Sequence, residues 1–500
     1  MKKLVPIIGM EIHVELKTKS KMFCGCKNEP DRDLPNNNIC PVCTAQPGTL
    51  PVPNKTAVEW AVKLATALGC KINKISKFDR KHYFYPDLPK AYQISQYDEP
   101  IGECGKIDLE FVAGKNHRDS AVIGITRVHL EEDTAKLTHA DGGSTLVDFN
   151  RAGIPLVEIV SDPDIQSGTE AKLYCQELQS IFRCLKISDA DMEKGHMRCE
   201  VNVSMQEDGK FSKAGNLIRP VEKYKLNPKV EVKNINSFRA VEKAIDYEIK
   251  RQTEMLEKGG TWIQCTRGWD DSKGETVLQR EKETSADYRY FPEPDIPPII
   301  FTKAQVAKIK ETLPELPDQK IQNYKTKFAL SDYDADQIAN DLDFSRIYDS
   351  ILEKYTDNSK LKDFAKFVAN LFLGAIKTHL NEEATDLKIN KINPDHYIEL
   401  FDSVQKSEIS ATVAKQVIVE SYLTGKNPVE IAKVKGLIQV SDSGEIEKIA
   451  KEVIESNPKA VEDYRKNPNS IGFLIGQLMK ASHGSANPQM AKEILEKLLN

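Results

Sequence analysis

Apolar and polar residues begin to alternate almost at the start of the chain. In Val5-Pro-Ile-Ile-Gly-Met-Glu-Ile-His-Val-Glu-Leu16, a period of two puts Ile12, Val14 and Leu16 on one face and Glu11, His13 and Glu15 on the other. That is the pattern of a half-buried strand with an acidic face. It recurs in 196–204, where His196, Arg198, Glu200, Asn202 and Ser204 oppose Met197, Cys199, Val201 and Val203. In 229–237, Glu231 and Lys233 share the face opposite Val230 and Val232. Helical spacing appears in 56–68, with a stop at Gly69, near 169–185, and after Ser237, whose hydroxyl can cap a helix that buries Val241 and Ile245. Up to about Gln279 strands outnumber helices without strict alternation, which predicts a mixed or antiparallel sheet with helices packed on it.

Beyond Pro298 the period changes to amphipathic segments such as 303–313, 361–380, 409–424, 427–435 and 445–456. The fold class is therefore α+β, with a sheet domain over 1–294, a helical domain over 295–405 and a helical tail over 406–500. Tyr290-Phe-Pro-Glu-Pro-Asp-Ile-Pro-Pro298, with four prolines, reads as an extended joint. Gly472 and Gly476, one turn apart, are expected to let a second helix or a ligand approach closely.

Composition sharpens this picture. With 40% hydrophobic and 29% charged residues among 500, the chain is globular and long enough for about three domains. A formal net charge of -5 excludes a generally basic nucleic-acid binder, so any RNA contact has to come from a local patch. The apolar run 4–10 is interrupted by Pro6 and ends at Glu11, too short for a secretory signal. No run of 18 apolar residues occurs, and a cytoplasmic protein with no membrane partner is expected.

Two groups of side chains carry candidate chemistry. Glu11 and His13 on the first strand resemble in type the 126–133 stretch, where His129 precedes Glu131, Glu132 and Asp133. Oxygen-rich sets with one imidazole suit magnesium better than zinc, although solvated carboxylates on a surface strand give the same alternation. Ideal parity puts Glu131 and Glu132 on opposite faces, so both can serve one ion only if the strand bends or ends there. Cys24-x-Cys26, thirteen residues, then Cys40-x-x-Cys43 is the paired-thiol pattern of a structural zinc site. The stretch 78–97 is dense in tyrosine, lysine and arginine and reads equally as a nucleotide or tRNA-end surface and as a loop filling a crevice. Neither GxxxxGK[ST] nor GxGxxG occurs.

Taken together, 9–16 (GMEIHVEL), 84–90 (FYPDLPK), 93–97 (QISQY), 129–133 (HLEED), 150–153 (NRAG), 230–238 (VEVKNINSF), 287–295 (DYRYFPEPD) and 476–480 (GQLMK) resemble the GatB family of aspartyl/glutamyl-tRNA amidotransferase subunits. The resemblance covers nearly the whole chain. It implies that the first domain, a cradle, uses ATP to phosphorylate the side-chain carboxylate of Glu-tRNA(Gln) or Asp-tRNA(Asn), and that ammonia then displaces the phosphate. It implies two partner proteins, an amidase that makes the ammonia from glutamine and a further small subunit of the amidotransferase, and helical domains that grip mischarged tRNA. On the motif match, Glu11, His13, Glu131 and Glu132 are assigned to Mg2+ and catalysis together with Lys90. Arg198, Glu200, Asn202 and Lys233 are assigned to the same substrate and ATP pocket, and Cys24, Cys26, Cys40 and Cys43 to Zn2+. A non-catalytic tRNA-binding scaffold subunit of the same complex is the alternative.

Overall fold

The computed structural model describes residues 3–31, 34–111, 116, 118–140, 142–281, 288–438, 443–467, 470–482, 486 and 488–499. Its contacts divide the chain into two compact units, Met1–Leu316 and Pro317–Asn500.

The first unit is built on a nine-stranded sheet. Across it the strands run Glu275–Glu281, Cys265–Asp270, Val230–Ile235, Met197–Glu207, Leu4–Glu15, Pro155–Ser161, Ser120–Glu132, Gly102–Glu110 and Lys71–Ile72. Every pairing is antiparallel except that of Val230–Ile235 with Cys265–Asp270, so the sheet is mixed. The alternation in the first strand is realised: Ile8, Met10, Ile12 and Val14 are fully buried while Glu11, His13 and Glu15 point to the other face. Their apolar side joins Met197, Cys199, Val201 and Val203 and the residues Val157, Ile159, Val128 and Leu130 in one core. Burial of each such side chain stabilises the sheet by about 1.5–3 kcal/mol.

Helices Gly168–Cys184 and Phe238–Glu257 contribute to that core, and each begins at a serine of matching chemistry. The Ser167 hydroxyl accepts from the Glu170 amide and that of Ser237 from the Ala240 amide, supplying acceptors to otherwise unpaired first-turn donors. The two helices meet at Gly168, where an added Cβ would collide with the Glu242 carbonyl oxygen. A third helix, Lys55–Ala67, is capped by Asn54 and buries Ala57, Ala61, Val62, Leu64 and Ala65.

The expected joint at 290–298 is not a free connection. Phe291–Pro292 pairs with Asp79–Arg80, and Ile299–Ile300 pairs with Ile75–Ser76, so this segment is stitched back onto the first unit. Helix Lys303–Glu311 and Leu313 also pack against its core, which moves the boundary from the expected 294 to Leu316.

The regular elements of the second unit are all helices among its described residues, in keeping with the α+β class. One apolar cluster runs from Tyr324 to Ala432 and a second from Ile446 to Leu495. Val413, Val417 and Ile418 share the first cluster with Phe364 and Phe401, so the core is not divided at the expected 405/406. A π-helical turn, Phe372–Ile376, interrupts the predicted 361–380 helix. Gly472 and Gly476 face open space, with nothing within 4 Å of an added Cβ, so no described helix makes the close approach expected there. Among the described residues no helix is long and apolar enough to cross a membrane.

Candidate active site

Strand register assembles the polar face. His13 lies opposite Glu158 on one neighbour and Arg198 on the other, and Glu11 lies opposite Glu200. On the next strand Glu158 is paired with His129, and Leu156 with Glu131. Side chains two residues apart on one strand, and directly opposed on adjacent strands, share a face. Histidines and acids from four strands are thereby set side by side.

At the centre, His13 Nε2 is 3.4 Å from Glu131 Oε1 and 3.3 Å from Glu158 Oε2. His129 Nε2 stands 3.2 Å from Glu158 Oε2, and Ser95 Oγ donates to Glu131 Oε2 at 3.1 Å. The donor atoms of His13, Glu131 and Glu158 lie within 4.8 Å of one another, close enough for one cation. Burial works to lower the His13 pKa, but Glu158 and Glu131 outweigh it and hold His13 at about 9. Burial works to raise Glu158, yet His129 and His13 hold it well below the ordinary carboxylate range. Lys81, from the short strand Asp79–His82, is opposed by burial but carried upward by Glu131 and Glu158. Positive side chains thus offset the negative charge of this cluster, as a bound cation would.

The face continues outward. Asn202 Nδ2 donates to Glu11 Oε1 at 3.0 Å, while burial, Glu158 and Glu200 raise the Glu11 pKa. Lys233 Nζ donates to Glu200 Oε2 at 2.8 Å, and Arg198 Nη1 to Asp133 Oδ2 at 2.8 Å. Glu15 is pushed up to about 8 by burial and by Asp133.

Of the residues expected in this pocket, Glu11, His13, Glu131, Arg198, Glu200, Asn202 and Lys233 share the face. Glu132 and Lys90 do not. Strand alternation sends Glu132 away from Glu131, where Lys90 Nζ approaches it at 2.7 Å and the Ile94 amide donates to it at 3.0 Å. That corrects the expected four-ligand set, because no bend brings both carboxylates to one side. Glu158 was missed: it is a lone acid in the apolar run 154–160, and that oddity was its sequence signal. His129 lies within the 129–133 motif and Lys81 among the aromatics of 78–97, and neither position by itself signals a role.

Those aromatics do not fill a crevice throughout. Phe84 is 89% exposed, Tyr97 stacks on Tyr290 with centroids 4.2 Å apart, and Lys81 Nζ lies 5.1 Å from the Tyr288 ring centre. Asp287 of the 287–295 motif lies outside the described residues.

The cysteines form a separate candidate metal centre. The sulfurs of Cys24, Cys26, Cys40 and Cys43 lie within 4.8 Å of one another, with Cys40 and Cys43 at 3.8 Å. A zinc tetrahedron with bonds of about 2.3 Å has edges of about 3.8 Å, so the quartet fits that ion. The Cys43 thiol is held down to about 5, chiefly by its hydrogen bond with Cys24. The loop is tied in by the Met22 amide, which donates to Gly153 O at 2.7 Å, and by Lys21 Nζ, which donates to Asn38 O at 3.1 Å.

Comparison with known proteins adds an independent finding. Residues 6–307 match the GatB/GatE catalytic domain, and residues 350–499 match the GatB domain. A protein of Persephonella marina, named as the B subunit of aspartyl/glutamyl-tRNA(Asn/Gln) amidotransferase, is 46% identical over 495 residues, 99% of each chain. Proteins of the same name from Caldanaerobacter subterraneus and Crocosphaera subtropica are each 45% identical, over 99% of this chain and 99% and 97% of their own.

Proposed function

The chain belongs to the GatB family, and on that premise we propose that it amidates Glu-tRNA(Gln), Asp-tRNA(Asn) or both, using ATP and ammonia. The observation that carries this reading is the convergence of His13, Glu131 and Glu158 within 4.8 Å on the inner strands of the matched catalytic domain.

The chemistry suits such a face. A carboxylate is a poor electrophile. Transfer of the γ-phosphoryl group of ATP to its oxygen, with release of ADP, makes an acyl phosphate. Ammonia then attacks the carbonyl carbon, the C–O bond to phosphate breaks with its electron pair, and the extra proton leaves nitrogen as the amide forms. Mg2+ held by His13, Glu131 and Glu158, with Glu11 alongside, would offset charge on the nucleotide and on the carboxylate. Lys81, Arg198 and Lys233 supply fixed positive charge around the cluster, and Asn202 orients Glu11. Buried carboxylates placed side by side need such neighbours to remain ionised.

Lys90 and Glu132 form an ion pair on the opposite side, near Cys24 and Cys43. Their role is to hold the end of the 120–132 strand, so that Glu131 keeps its aim. The cysteine quartet would hold Zn2+ as a support for a polar loop, since four sulfurs leave no open coordination position. The partners are an amidase, which supplies the ammonia, and a small third protein of the amidotransferase, in the cytoplasm. The helical second unit is the part expected to grip tRNA.

The test is to co-purify the chain with both partners and to assay ATP-dependent amidation of each mischarged tRNA with the native protein and with Glu131→Gln. Loss of amidation with retained assembly, glutaminase activity and tRNA binding supports an enzyme. Retained amidation by the variant points to a scaffold.

A further inference from the structure

On a chain of net charge -5, the segment 209–229 holds six lysines and arginines against a single acid, Glu222. It begins with the hairpin Phe211–Ala214/Leu217–Pro220 and continues as a loop into strand Val230–Ile235, the strand that carries Lys233 into the polar face. Lys213 is committed to an ion pair with Asp164. Arg219, opposite Ser212, sits on the other face of the hairpin from Lys213. Lys210, Arg219, Lys223, Lys225 and Lys229 are all exposed, and none forms an ion pair with a described residue.

The backbone beneath these cations is pinned. Asn227 Nδ2 donates to Met205 O at 2.6 Å, the Asn227 amide to Gln206 Oε1 at 3.1 Å, and Gln206 Nε2 back to Asn227 O at 3.0 Å. Tyr224 Oη donates to Gln206 Oε1 at 3.2 Å and accepts from the Glu207 amide at 3.1 Å. Trp262 Nε1 donates to Pro228 O at 2.9 Å. Gln206 is itself only 3% exposed, so the loop is anchored through a buried side chain. A fixed backbone bearing free cations loses little ordering entropy when it meets an anion.

We propose that this hairpin and loop form a phosphate-binding rim for the acceptor stem of aminoacyl-tRNA. The cations of the polar face are already engaged, Arg198 with Asp133 and Lys233 with Glu200, and leave none for an RNA backbone. Lys229 directly precedes strand Val230–Ile235 and has the parity of Glu231, which lies opposite Asn202, so it stands at the edge of that face. A polyanion whose 3′ end enters the acidic face must cross its border, and uncompensated lysines there neutralise phosphates without reading bases. The acceptor stem is the occupant only if aminoacyl-tRNA is the substrate proposed above, so the test separates the two.

The assembled complex is prepared with the native chain and with the triple variant Arg219→Ala, Lys223→Ala, Lys225→Ala. Binding of mischarged tRNA and of a minihelix carrying only the acceptor stem is measured against salt concentration, beside amidation kinetics. The expected result is a salt slope smaller by about one per lost phosphate contact, and KM for aminoacyl-tRNA raised roughly tenfold or more. At saturating tRNA kcat is unchanged, and tRNA(Gln) and tRNA(Asn) are affected equally. An unchanged slope and KM overturn the rim. Loss of a partner protein on purification also overturns it, because the patch would then be a protein-docking surface. Absence of amidation by the native complex counts against the enzymatic reading, while the minihelix salt slope still decides the rim.

Discussion

Glu131 and Glu132 are consecutive, yet they face opposite sides of one strand: Glu131 lies 3.4 Å from His13 and Glu132 2.7 Å from Lys90. The first is part of a cluster crowded with acids, the second half of an ion pair whose lysine side chain is 13% exposed. The same amide replacement therefore has different consequences at the two positions.

Glu131→Gln removes a charge from the acidic cluster and is expected to lower kcat for amidation by about 100-fold or more while changing stability little. Glu132→Gln leaves Lys90 without its counter-charge and is expected to destabilise the first unit by about 1–3 kcal/mol. Steady-state amidation and thermal unfolding, measured side by side, distinguish them; equal loss of stability in both variants would refute this division of labour.

Zinc analysis of the purified chain is expected to find one equivalent, released by Cys43→Ser. The variant should also gain proteolytic sensitivity within 20–50, because a polar loop without its cross-link has too little apolar surface to pack. Metal content and cleavage sites are read directly, without an activity assay. A native chain free of zinc when purified without chelator would contradict the expectation.

Glu248 is fully buried and hydrogen-bonded to Arg251 at 2.8 Å and to Thr276 Oγ1 at 2.5 Å. Burial works to raise its pKa, but Arg251, Thr276 and Gln252 outweigh burial and leave it lowered. A carboxyl lowered on folding stabilises above its unfolded pKa of about 4.3, and the contribution disappears as pH falls through the folded value. Glu248→Gln should therefore be less stable than the native chain near pH 7, by about 1–3 kcal/mol, and the gap should close as pH drops below about 4. Unfolding midpoints across that range test the sign.

Gly168→Ala drives a Cβ into the Glu242 carbonyl oxygen, a backbone atom that cannot swing aside. Helices Gly168–Cys184 and Phe238–Glu257 must separate to admit it, at an expected cost of about 1–3 kcal/mol. Denaturant unfolding of the first unit measures it. An unchanged midpoint would mean that the helices are less closely packed than this geometry requires.

What could be read along the chain was whatever depends on local period and local chemistry. Alternation assigned Glu11, His13, Arg198, Glu200, Asn202 and Lys233 to polar faces, Ser237 announced its helix, and the cysteine spacing announced a quartet. Parity separates Glu131 from Glu132, although the motif match assigns both to one ion. These follow from a two-residue repeat, a capping hydroxyl and short loops between thiols, none of which needs knowledge of distant neighbours.

Which strands lie side by side was decided only in three dimensions. Pairing with Leu4–Glu15 and Ser120–Glu132 turned Glu158 from an odd acid in an apolar run into the partner of two histidines. The packing of Asp79–His82 near the face brought in Lys81, and pairing of Ile299–Ile300 with Ile75–Ser76 carried the first unit on to Leu316. A side-chain period names a face but not its neighbours. Backbone pairing between strands distant in the chain, His13 with Glu158 and Arg198 and Glu158 with His129, sets the register, and the register is what makes scattered carboxylates one site.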